Sequence, residues 1–262
     1  MADMNYIPNG GQTYMPFKDN IHVPQLDFTP LAQPEPAIPG FELTEEAKAK
    51  GWIVASPVQH FLPGVEPEML DWWWANMEKG YYLWAPGAHK RFSWVKAPWE
   101  VGFLSSSHMI SEAMVPGKAV FGGDGVQIHR LGLDYYPFTT SMGHIIVEGT
   151  FNAKGELCDT TIHMWDKAEG GTNHYTCAII NTKATMPPDF VLADPASAPS
   201  DEMRAYHAEY EASRWPVFLP GLYRLWEGHP DLTQNVRCDL SVKWEGGKIS
   251  YVSDNGPVKI DG

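Results

Sequence analysis

His207 and Glu211 stand four residues apart in the stretch Tyr206-His-Ala-Glu-Tyr-Glu211. On an α-helix, residues at i and i+4 share one face, one turn apart. An imidazole and a carboxylate in that arrangement can grip one divalent cation together. The segment reads as a helix: Ser200 is a good N-cap, Asp201 and Glu202 suit the positive end of the macrodipole, and Pro216 is expected to stop it. The same pair is also a common contact on an ordinary helix face, so a metal site needs further ligands from elsewhere in the chain.

Those ligands cannot be thiolates. Cys158, Cys177 and Cys238 are scattered and odd in number, with no C-x-x-C pair, which speaks against a disulfide framework and against a structural zinc site. Histidines and carboxylates are left, a donor set that suits a catalytic centre with an open position. His89 follows a turn, Ala85-Pro-Gly-Ala88. His108 and Glu112 would share a face of an extended segment. His163 lies on a candidate strand with Thr161 and Trp165 on its face and Ile162 and Met164 on the other. A lone histidine among apolar neighbours is more often a packed core residue than a functional one. His22, His60, His129, His144 and His229 have no matching partner, apart from Glu148 four residues after His144, and read as packing or surface residues.

The elements that must position these groups follow from periodicity and punctuation. Seven prolines before residue 40 forbid regular helix and make residues 1–60 an extended Pro-rich arm with a short helix. Tyr14, Phe17, Leu26 and Phe28 could pin that arm to the body or to a second subunit. The short helix starts at Thr44 and closes at Gly51. A second helix opens at Pro67, carries Trp72, Trp73 and Trp74, and closes at Gly80; three tryptophans in a row must be buried on several sides or sit at an interface. Strands are predicted over 52–62, 81–84, 126–133, 142–151, 157–166, 174–183, 236–244 and 248–252, with a polar alternation inside 99–114. Ala153-Lys-Gly155, Glu169-Gly-Gly171 and Glu245-Gly-Gly247 join several of them as hairpins. In the last hairpin Val236, Cys238, Leu240, Val242 and Trp244 would share a face. Strands followed by a long helix late in the chain make an α+β plan, a sheet curving around the helix with a cavity between, over residues 61–262.

Composition narrows the ligand. The chain has 262 residues, is 44% hydrophobic, and carries a formal net charge of −13. Phosphate backbones and anionic membranes need clustered Lys and Arg, so no nucleic-acid or membrane partner is expected. No stretch is long and apolar enough to span a bilayer, and the first residues lack signal-peptide character, so a cytoplasmic location is expected. Aromatics make up 13% of the chain, with 11 Trp, more than a core of this size needs; some are expected to line a pocket for a flat ligand.

Three segments, in order, resemble the diacetylphloroglucinol hydrolase and phloretin hydrolase family. His207-Ala-Glu-Tyr-Glu211, followed by Phe218-Leu-Pro220 and Leu222-Tyr223, looks like its C-terminal metal-ligand motif. Gly80-Tyr-Tyr-Leu-Trp-Ala-Pro-Gly-Ala-His89, running on to Trp94, resembles its first metal-ligand segment, with Ala85-Pro86 where the family often has His-Pro. Ile162-His163-Met-Trp165, with the Gly170-Gly171 turn and Tyr175, resembles its catalytic-histidine hairpin. The similarity spans roughly residues 60–230. It implies a helix-grip, Bet v 1-like fold, a curved antiparallel sheet around a long C-terminal helix. It also implies cleavage of the carbon–carbon bond between an aromatic ring and an acyl group, with one divalent metal per chain, zinc or another divalent ion. By that resemblance the ligands are His89, Glu112, His207 and Glu211, with Glu148 as the alternative to Glu112. His163 becomes a proton-transfer group, and Tyr81 and Tyr175 become donors to phenolic oxygens. The substrate would be a small aromatic ketone; a homodimer is compatible with the arm and the Trp run. Two other functions remain open at this stage: a helix-grip carrier of an apolar ligand, and a metal-dependent lyase or isomerase on a similar enolisable ketone.

Overall fold

The structure is a computed structural model that describes residues 38–116, 121–184, 200–227, 235–245 and 248–261. In chain order its elements are β1 (Glu42–Leu43), α1 (Glu45–Lys50), β2 (Trp52–Pro63), α2 (Pro67–Ala75), α3 (Tyr81–Trp84), β3 (His89–Lys96), α4 (Pro98–Val101), β4 (Ser107–Glu112), β5 (Phe121–Arg130), β6 (Phe138–Thr139), β7 (His144–Phe151), β8 (Leu157–Ala168), β9 (Gly171–Asn181), α5 (Asp201–Ala212), α6 (Trp215–Glu227), β10 (Asn235–Glu245) and β11 (Lys248–Asp261). Up to residue 37 the expected Pro-rich arm lies outside the described residues; β10 is described as a strand without its side chains, so the face expected for Val236, Cys238, Leu240, Val242 and Trp244 lies outside what is described.

Seven strands form one antiparallel sheet in the order β2-β9-β8-β7-β5-β4-β3. The predicted hairpins β7-β8 and β8-β9 are both present. At the second, Gly170 takes φ +76°, and any side chain at Gly171 would collide with the Leu62 carbonyl of the neighbouring strand. Strand alternation then sorts the residues onto two faces. The inner face packs on α2 and α6 through a core that contains Trp73, Trp74, Trp165, Trp215 and Phe218. The outer face, with Val147, Ile162, Met164, Cys177 and Ile179, is covered by residues around the small β1-β6 pair, among them Ile38, Phe41 and Phe138. This is the helix-grip plan.

The differences from expectation have local causes. Residues 81–84 are the short helix α3 rather than a strand, because the amides of Leu83 and Trp84 bond back to the Gly80 carbonyl at 2.8 and 3.2 Å while Tyr81, Leu83 and Trp84 bury in the core. Packing here overrides the aromatic preference for strands. The single long C-terminal helix is instead two, α5 and α6, parted at Ser213 and Arg214. Pro216 sits in the first turn of α6, where a missing N–H costs nothing, so it begins a helix rather than ending one. The hairpin expected at Glu245-Gly-Gly247 follows the helices as β10 and β11, which form a separate two-stranded sheet. The boundary expected at residue 60 falls inside β2, which pairs with β9 from Trp52 to Pro63. Trp72, Trp73 and Trp74 are all buried within the chain itself. No helix among the described residues is long and apolar enough to cross a membrane.

Candidate metal centre

The structure gathers His89, Glu112, His207 and Glu211 into one cluster whose candidate ligand atoms all lie within 4.8 Å of one another. Three local devices bring them there. His89 opens β3 just after the turn that follows α3, where its amide bonds to the Ala85 carbonyl at 2.9 Å. Glu112 ends β4 directly opposite His89 in the β3-β4 ladder. His207 and Glu211 come from adjacent turns of α5, whose N-terminus Ser200 caps by accepting from the Met203 amide at 3.2 Å.

Both imidazoles are oriented by backbone carbonyls. Nδ1 of His89 lies 2.7 Å from the Tyr81 carbonyl, and Nδ1 of His207 lies 3.2 Å from the Met114 carbonyl. A carbonyl only accepts, so each Nδ1 carries the proton and each Nε2 presents a lone pair to the cluster. His89 Nε2 stands 3.0 Å from Glu211 Oε1 and 3.4 Å from Glu112 Oε2; His207 Nε2 stands 3.4 Å from Glu211 Oε1 and 3.9 Å from Glu112 Oε1. Both Nε2 atoms are buried and neither makes a hydrogen bond within the protein. Two neutral imidazoles and two carboxylates match the charge of a divalent cation, and orphaned, converging donors are what such an ion would satisfy. The residues therefore fit a divalent metal.

Without an ion the cluster must balance its charge with protons. Burial alone would push His207 down, but Glu211, Glu112 and the Met114 carbonyl outweigh it and hold His207 up at about 9. Burial would raise Glu211, yet His207 and His89 hold it well below the usual carboxylate range. Tyr81 donates its hydroxyl to Glu112 Oε2 at 2.8 Å and stacks its ring on His89 with centroids 3.9 Å apart. Burial, with the neighbouring carboxylates, raises its pKa well above the ordinary phenol value. Tyr81 thus braces two members of the cluster instead of standing free in the cavity.

A cavity of about 160 Å³ opens beside the cluster, with Met77, Trp84, Ile110, Met114 and His163 among its walls. His163 is buried on the inner face of β8, its ring 4.4 Å from that of Trp74. Its Nδ1 faces His174 Nε2 at 3.3 Å and Thr176 Oγ1 at 3.4 Å. Burial, with Arg130 and His60 adding to it and Glu211 opposing, pushes His163 down to about 3, so it is neutral at physiological pH.

One sequence expectation fails here, and the alternative third ligand is set aside. Tyr175 is not brought to the site: it pairs with Met164 on the outer face and buries in the second core. Glu148 does line the cavity, but it stands opposite Arg130 in the β5-β7 ladder and forms a short ion pair with it instead of joining the four ligands. Sequence reasoning missed His174, His60 and Arg130. His60 is buried, with Nδ1 2.6 Å from Glu209 Oε2, and its ring lies 5.8 Å from that of His174. The register of the Gly170-Gly171 hairpin could have revealed His174, since it sets His174 opposite Trp165 on the face of His163.

The structure is thus a helix-grip sheet closing on a largely buried His₂Glu₂ cluster that could hold a metal ion, beside a cavity walled in part by aromatic side chains. Residues 36–224, well over half of the chain, match the family described as DAPG hydrolase PhiG domain, and the chain belongs to that family. Its domain is accordingly a hydrolase domain. No curated protein matches the chain. Solved structures with a similar fold include ginseng major latex-like protein 151 from Panax ginseng, 11% identical over 63% of this chain and 98% of that one, TM-score 0.37. They also include the di-domain ARO/CYC StfQ from the steffimycin biosynthetic pathway, 11% identical over 67% of this chain and 51% of that one, TM-score 0.39. A third is norcoclaurine synthase from Thalictrum flavum, 11% identical over 69% and 91% of the two chains, TM-score 0.34. Such distant likenesses bear on neither activity nor ligand.

Proposed function

We propose that the protein is a zinc-dependent hydrolase that cleaves the carbon–carbon bond between an acyl group and a phenolic ring, as in an acyl phloroglucinol-like ketone. The observation that carries this is the convergence of His89, Glu112, His207 and Glu211, with both buried Nε2 atoms facing the carboxylates and making no hydrogen bond. When bound, the ion polarises the ketone oxygen and lets water act as a nucleophile near neutral pH. The overall change adds one water: the aryl–acyl bond breaks, the ring carbon gains hydrogen and the acyl group leaves as a carboxylic acid.

The chain supplies the proton handling and the shape. His163 is neutral and lines the cavity; because burial opposes a standing imidazolium, it would serve as a relay that passes the proton lost by the attacking water on to the ring carbon in the same step, avoiding a free aryl anion. His174 and Thr176 hold its Nδ1, which leaves Nε2 to serve the cavity. Tyr81, which donates to Glu112 Oε2, would hold that carboxylate in place as a ligand. The cavity of about 160 Å³ suits one aromatic ring, since an engineered apolar cavity of roughly 150 Å³ accommodates benzene. Four ionisable side chains converging on that cavity would burden a carrier of apolar ligands, which needs none of them.

The test is turnover of a monocyclic acyl polyphenol by purified protein, before and after metal removal. The reading requires deacylated phenol and carboxylic acid in equal amounts, lost with the metal and restored by zinc. Stoichiometric metal with no such products would overturn the substrate assignment and leave a lyase or isomerase reaction to be sought.

A further inference from the structure

Glu148 is the buried group that the chemistry above does not use. It is 8% exposed and lines the same cavity as the metal cluster. Its two polar contacts among the described residues both go to one oxygen: Oε1 is paired with Arg130 Nη1 and stands 3.6 Å from His108 Nε2. Oε2 has no polar contact among the described residues.

Arg130 is held firmly. Its Nη2 donates to the Trp74 carbonyl at 3.0 Å and contacts the Met77 sulfur at 2.9 Å. The guanidinium lies 5.1 Å from the Trp74 ring centroid and 5.3 Å from that of Phe103. A buried ion pair of this kind adds little net stability, because desolvating both charges offsets most of their attraction. Its position is informative instead: it fixes one carboxylate oxygen of a side chain that lines the cavity and leaves the other without a polar contact among the described residues.

We propose that Glu148, clamped by Arg130, is a hydroxyl-reading subsite in which Oε2 accepts a hydrogen bond from a ring hydroxyl of the substrate. This rests on the acyl-phenol reading above and deepens it: the ligand must carry a free phenolic O–H that reaches the β5-β7 wall while its acyl group lies at the metal cluster. An O-methylated ring has no proton to give and would strand the carboxylate oxygen.

Binding of non-reactive rings separates this subsite from the chemistry. Quenching of tryptophan fluorescence by 1,3,5-trihydroxybenzene and by 1,3,5-trimethoxybenzene would be titrated on metal-loaded and metal-depleted protein. The wild type is expected to prefer the triol by about ten- to a hundredfold, the range for a hydrogen bond to a charged group. Glu148→Gln keeps an acceptor for Arg130, but its neutral amide should lose most of that preference, at unchanged metal content. Equal binding of triol and trimethyl ether by the wild type, which needs no variant to fold, overturns the proposal. So does a folded Glu148→Gln protein with undiminished preference. If the preference depends on Glu148 while acyl phenols are not cleaved, the subsite stands and the proposed reaction fails. If acyl phenols are cleaved with no hydroxyl preference, the reaction stands and the subsite fails.

Discussion

Replacing His163 by glutamine should separate proton transfer from metal binding and from packing in one protein. Glutamine keeps a polar group for His174 and Thr176 to hold, but cannot carry a proton. General acid–base groups contribute on the order of a hundred- to ten-thousandfold in rate, so kcat should fall by about that factor while metal content stays at the wild-type level. The structure also fixes a signature in stability. Unfolded histidine takes up its proton near its ordinary value of about 6.5, whereas folded His163 resists until about 3. Above both values neither state binds that proton and stability is unaffected. As pH falls between them, only the unfolded chain gains it, so stability drops by about 1.4 kcal/mol per pH unit and by about 5 kcal/mol in total. His108 and His174 are displaced in the same direction by burial, so their share of the acid sensitivity remains in the variant. Urea unfolding between pH 7 and pH 4, on the preparations used for kcat and metal analysis, should give a shallower pH dependence for His163→Gln. Loss of metal with activity would make His163 a ligand, and an unchanged kcat would reduce it to a packing residue.

Other outcomes follow from the geometry. His207→Ala should abolish stoichiometric metal binding and turnover, read by elemental analysis and product release. Glu112→Gln should lose metal while Glu148→Gln retains it, because only Glu112 is one of the four clustered residues. Tyr81→Phe removes the hydroxyl that braces Glu112 and should weaken metal affinity by about ten- to a hundredfold in a chelator competition. Tyr175→Phe, on the outer face of the sheet, should leave kcat and metal affinity unchanged.

The i,i+4 pair on α5 was legible because helix geometry alone places His207 beside Glu211, and the caps that define the helix are local. The hairpins were legible for the same reason. What the sequence could not supply was pairing between distant strands. Whether Glu112 or Glu148 completes the cluster depends on β4 meeting β3 at His89 and on β7 meeting β5 at Arg130, and neither register is written in a turn. Tyr175 is a different case. The tight turn between Ala168 and Gly171 sets Tyr175 against Met164, which alternation already assigned to the face away from His163, so its exclusion from the site was readable. The division of the long helix went unread because Pro216 serves a helix start as well as a helix stop, and the burial of Trp215 that favours the start is a tertiary fact.

The most direct test of the central claim is an anomalous difference map, at the zinc edge, from crystals of the protein as purified. The account predicts a single strong peak about 2.0–2.2 Å from Nε2 of His89 and His207 and from carboxylate oxygens of Glu112 and Glu211. A map without a peak there after zinc has been supplied, or with its peak held by Glu148 or His163 instead, would contradict it.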